Sequence, residues 1–80
     1  MTCPFEMRWP VLDPEEPASA FIDRAGPELR VELRALGLIP MGRPRYTWEM
    51  HPGIDGRPAP FLVARVEVRD HAIGRPRRAA

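Results

Sequence analysis

Eleven of the eighty residues are proline, and a ring that fixes φ and removes the backbone N–H sits badly inside a helix or a central strand. Regular structure is therefore confined to what the prolines leave whole. Pro4 and Pro10 bracket Phe5, Met7 and Trp9, which alternate with Glu6 and Arg8; a period of two predicts a strand with one buried face. Prolines at both ends suit an edge strand. Asp13-Pro14-Glu15-Glu16 reads as a helix start, with Asp as N-cap, Pro at the first helical position and carboxylates where the helix dipole favours them.

From there Ala18, Ile22, Ala25, Leu29, Leu33 and Leu36 form one helical stripe. Gly26-Pro27 interrupts it, which predicts a kink or two helices meeting near Gly26. Residues 28–36 also alternate in the manner of a strand, but their helix formers and Gly37 as a C-terminal cap favour helix. Glu28, Arg30, Glu32 and Arg34 then give a mixed polar surface, unlike a basic DNA-reading helix. Arg45 to Met50 alternates again, with Tyr46, Trp48 and Met50 on one side. Residues 51–60, with two Gly and three Pro, read as a loop. In 61–70, Leu62, Ala64, Val66 and Val68 share one face, while the other begins with Phe61 and Val63 and ends with Arg65, Glu67 and Arg69. The fold expected is a small α+β domain of order β-α-β-β over residues 1–72: a three-stranded, mainly antiparallel sheet with a kinked or split helix packed on one face. Residues 73–80 read as a disordered arginine-rich tail.

A chain of this length supports one core and a stability on the order of 5 kcal/mol. All twelve basic residues are Arg, with no Lys, Asn or Gln and one Ser, a usage that points to a GC-rich genome, bacterial or phage. The net charge of +1 provides no global field toward nucleic acid or an anionic membrane, so such a partner needs a local patch. Cys3 stands alone, which suits a reducing compartment. With no signal-peptide pattern and no long apolar window, a cytoplasmic location without membrane contact is expected.

Groups capable of catalysis are scarce. Thr47, Glu49 and His51 fall on one side of their strand, an arrangement that can hold a water or a metal but equally describes a solvated strand face. Cys3, His51 and His71 lack any zinc-ligand spacing. Asp70 and His71 are adjacent and so point to opposite sides of a strand, and no elbow motif surrounds Ser19. The chain has no phosphate loop or dinucleotide fingerprint, so a non-enzymatic protein without cofactor or metal is expected. Tyr46, Trp48 and Phe61 can serve as a stacking platform for single-stranded nucleic acid, although a domain with six aromatics needs them in its core.

Gly-Arg-Pro occurs three times, at Gly42, Gly56 and Gly74, twice continued as GRPR. These runs resemble the core of an AT-hook, which lies in the minor groove of A·T-rich DNA. The residue before Gly is Met41, Asp55 or Ile73, so the flanking Arg of that motif is missing, and each run also falls where a turn is needed. The leading expectation is a small binding protein acting through protein contact, as a homodimer or docked on a larger assembly, with Phe61, Val63, Arg65 and Arg69 on the contact face. The alternative is nucleic-acid binding through loop and tail arginines, namely Arg43, Arg45, Arg57, Arg75, Arg77 and Arg78.

Overall fold

A computed structural model describes residues 2–70 of the chain; the proposed tail and the end of the proposed domain lie outside those residues. Four strands and one helix follow in the order β1 (Cys3–Pro10), α1 (Ala18–Ala35), β2 (Leu38–Pro40), β3 (Arg45–Pro52) and β4 (Pro58–Asp70). Every strand pairs antiparallel with β4, which runs through the middle of the sheet. On one side β1 spans Phe61 to Val68, and on the other β3 covers Pro58 to Arg65 and β2 covers Val68 to Asp70. Thus β2 and β3 lie in succession along the same edge of β4, separated by Met41 to Pro44.

The α+β class stands, with two corrections to its details. The sheet has four strands instead of three, because Leu38-Ile39-Pro40 pairs with β4 immediately after the helix; three residues carry too little alternation to announce a strand. The helix is one element instead of two, running through Pro27 without a break. The carbonyl that loses its donor there belongs to Asp23, and both Asp23 and Pro27 are exposed, so the missing bond falls on a solvent-facing turn of the helix, where a carbonyl has no need of a protein donor. The helix also starts later than the Asp13 signal predicts. Asp13 does organise a turn, its Oδ1 accepting from the Glu15 N–H at 2.9 Å, but Pro17 is extended at φ −62°, ψ 146° and itself stands at the N-cap. A residue ahead of proline avoids helical backbone, which isolates the turn from the helix. Arg24 reaches back to Glu16 at 2.6 Å and ties the two together.

Phe21, Ala25, Leu29 and Leu33, each four residues apart, are the buried stripe of α1. Ile22 is half-buried, while Ala18 and Leu36, the ends of the expected stripe, are exposed. Against this stripe pack Trp9 and the β4 side chains Leu62, Ala64, Val66 and Val68, with Phe5, Met7 and Tyr46 partly buried beside them. Trp9 also donates its indole N–H to Glu28 at 3.0 Å, fastening β1 to the helix. Gly37, at φ +71°, ends the helix in the left-handed conformation that only glycine adopts cheaply.

Half of the stretch expected as a ten-residue loop is paired: His51 faces Ala59 and Pro52 faces Pro58, leaving a turn at 53–57. The prolines fit because Pro60 directs its carbonyl toward β1, where Val11 N–H donates to it at 3.0 Å. Its missing N–H falls on that same side, and pairing with β3 loses nothing.

Candidate functional site

Two features of the sheet stand out, a charged face opposite the helix and a free edge. On the charged face, Glu6 of β1 and Arg45 of β3 lie on either side of Arg65 of β4. Arg65 reaches Glu6 at 3.2 Å and grips the Glu49 carboxylate with both terminal nitrogens, one of them at 3.0 Å. Thr47 donates its hydroxyl to Glu49 at 2.8 Å, and His51 Nε2 lies 3.0 Å from its other oxygen. The ring of His51 meets Phe61 edge-on at 5.8 Å. Arg8 binds Glu6 at 2.7 Å. One arginine thus joins three strands, and Val63, next to it on the same face of β4, has no exposed surface at all.

The arginine and the Thr47 hydroxyl hold the Glu49 carboxyl down at about 2, far below the usual 4.5, and Arg8 lowers Glu6 likewise. Carboxyls depressed in the folded state stabilise it fully above their ordinary pKa, and that contribution is lost as pH falls toward the folded value. The thermal midpoint should therefore decline between about pH 4.5 and pH 2. Glu49→Gln should flatten this decline in a melting series at constant salt; an unchanged acid limb would show that the Arg65 network does not set it.

The two outer edges of the sheet differ. Pro60 turns its carbonyl to Val11, and Glu67 turns its own to Met41 at 2.7 Å. Even-numbered residues of β4 therefore address β1, and odd-numbered ones address β2 and β3. Through the register, the outward backbone groups of β1 belong to Pro4, Glu6, Arg8 and Pro10, and two of these four have no N–H to offer. Those prolines blunt the edge. On β3 the outward groups belong to Tyr46, Trp48, Met50 and Pro52; the first three keep their donors in an unbroken run, and the proline stands only at the strand end. Among the described residues no strand pairs with that side. Beside it Trp48 is 52% and Met50 61% exposed, although both stand on the helix side of the sheet. Trp48 meets the core at the edge of Phe21, with ring centroids 5.9 Å apart.

The four residues expected on a contact face do share the side of β4 opposite the helix. Arg65 and Arg69 are exposed and Phe61 is half-buried, whereas Val63 is covered. Of the arginines considered for nucleic acid, Arg43 and Arg45 line a groove of about 570 Å³ with Pro4, Arg65 and Glu67, and Arg57 lies in the hairpin turn. Arg75, Arg77 and Arg78 lie outside the described residues, as does His71. Cys3 pairs with Val68 and His51 with Ala59, nine positions apart along β4 or about 30 Å at the rise of a strand; they share no ligand set. Thr47, Glu49 and His51 do come together, but around Arg65. The open β3 edge is absent from the sequence reading. Its signal lies in what each strand sets outward between its flanking prolines: Glu6 and Arg8 on β1, against Tyr46, Trp48 and Met50 on β3. No protein family, curated protein or solved structure matches this chain.

Proposed function

We propose that the protein is a non-catalytic binding module that acts through protein contact, and that the free edge of β3 is where it does so. The observation that carries this reading is the combination of a strand edge left unpaired among the described residues with Trp48 and Met50 half or more exposed beside it. Such an edge is a template for another strand. Main-chain bonds supply the affinity of this kind of contact, and the flanking side chains supply its selectivity. The charged face opposite the helix offers few groups for chemistry, since the Glu49 carboxylate is already engaged by Arg65, Thr47 and His51.

The test is affinity capture from cells that make the protein, with and without nuclease, comparing wild type with Met50→Pro. That substitution removes one outward N–H and leaves the hydrogen bonds to β4 in place. Retention of the same proteins after nuclease, and their loss with the variant, is the expected result. Capture that depends on nucleic acid, or that survives the variant unchanged while circular dichroism shows both proteins folded, would overturn the reading.

A further inference from the structure

We propose that the strand taken up by β3 is the β3 of a second copy of this chain, paired antiparallel about a two-fold axis through Thr47. The proposal rests on the protein-contact reading above and names its partner. Of the outward positions of β3 only Tyr46, Trp48 and Met50 keep an N–H, Pro52 at the strand end having none, so a symmetric pairing has to set these residues opposite one another. That requires an axis through a residue, never one between two. An axis at Glu49 would set Trp48 against Met50 and leave Thr47 facing His51, with no charge pair across it. An axis at Tyr46 or Met50 would bring Pro44 or Pro52 against Trp48, where half the main-chain bonds have no donor. An axis at Trp48 would leave Arg45 facing His51.

The axis at Thr47 sets Arg45 opposite Glu49 of the partner, twice by symmetry. Arg45 makes no ion pair with a described residue of its own chain, and Glu49 is the carboxylate already held ionised on that face. On the helix side the same axis sets Tyr46 opposite Trp48, also twice, and places the exposed indole against an aromatic ring. Each Tyr46–Trp48 pair exchanges two N–H···O bonds. Pro44 falls opposite Met50 only at the ends of the ladder, outside these central pairs. Charges of opposite sign on one face and aromatic pairs on the other make the strand complementary to itself in this register alone.

Three measurements on the purified full-length chain test it. Sedimentation equilibrium should show a dimer of twice 9.1 kDa. Arg45→Glu, which sets like charges opposite each other, should weaken dimerisation at least tenfold, and Arg45→Lys should largely restore it. Thr47→Cys in a Cys3→Ser background should form an intermolecular disulfide on mild oxidation, since residues facing at a non-hydrogen-bonded position bring their Cα atoms to about 4.5 Å. A monomer at about 0.1 mM, far above a micromolar Kd, would overturn the proposal. So would a dimer indifferent to Arg45→Glu, or one in which the Thr47→Cys thiols do not cross-link. A monomer whose capture from lysate is still lost with Met50→Pro would refute self-pairing while leaving the binding module in place.

Discussion

Phe21→Ala should leave the protein with no more than about 2 kcal/mol of stability at room temperature. Phe21 is 2% exposed and stands at the first turn of the buried helical stripe. Its ring meets Trp48 edge-on at 5.9 Å and carries the Arg24 guanidinium 4.6 Å above it. Truncating a buried phenylalanine to alanine costs about 3–5 kcal/mol, through lost transfer energy and the cavity left behind. A domain of this length has about 5 kcal/mol in total, so the substitution removes most of it. Phe21→Leu retains most of the volume and should cost about 1–2 kcal/mol. Urea titration followed by circular dichroism, at one fixed protein concentration so that any dimer contributes equally, separates the two. A Phe21→Ala protein within about 1 kcal/mol of wild type would mean that the helix and sheet are held together elsewhere.

The three longer strands are legible because each has one dry and one wet face, and alternation records that directly. Phe5, Met7 and Trp9 turn to the helix as their spacing predicts, and so do Leu62, Ala64, Val66 and Val68. Trp48 and Met50 also keep the predicted side, yet they are largely exposed, because periodicity gives the face of a residue and not how far the helix extends over it. The helix start departs from its prediction since Asp13 satisfies the local grammar of a cap, while the extended backbone at Pro17 decides the outcome. The charged face lies beyond sequence reading for a different reason. Glu6, Glu49 and Arg65 are far apart in the chain, and only the registers of β1 and β3 against β4 bring both carboxylates to one guanidinium. The apparent apolar patch of Phe61 and Val63 depends on the same registers, which place Val63 between Arg8 and Thr47.

Pro27→Ala should stabilise the protein, by about 1–3 kcal/mol. Proline in a helix interior is about 3 kcal/mol less favourable than alanine, and part of that is offset because proline also restricts the unfolded chain, by about 0.4–1 kcal/mol. Alanine restores the donor for the Asp23 carbonyl at a position outside the buried stripe, so no core packing is disturbed. Gly26→Ala should add up to about 1 kcal/mol, since a new Cβ there would lie 3.7 Å from both the Arg30 side chain and the Tyr46 hydroxyl, an ordinary contact distance. The measurement is the urea midpoint at unchanged slope, which isolates a change in stability from one in the unfolded ensemble. Loss of stability on Pro27→Ala would contradict the account given for the continuous helix. That account puts the cause of continuity in the tertiary stripe. Ala25 and Leu29 stand on either side of the Gly-Pro step and are each 1% exposed, so breaking the helix there would pull one of them from the core. Burying a leucine side chain is worth about 1.5–3 kcal/mol, similar to the cost of the proline. Packing thus holds in helical form a dipeptide that local propensity alone would use to end one.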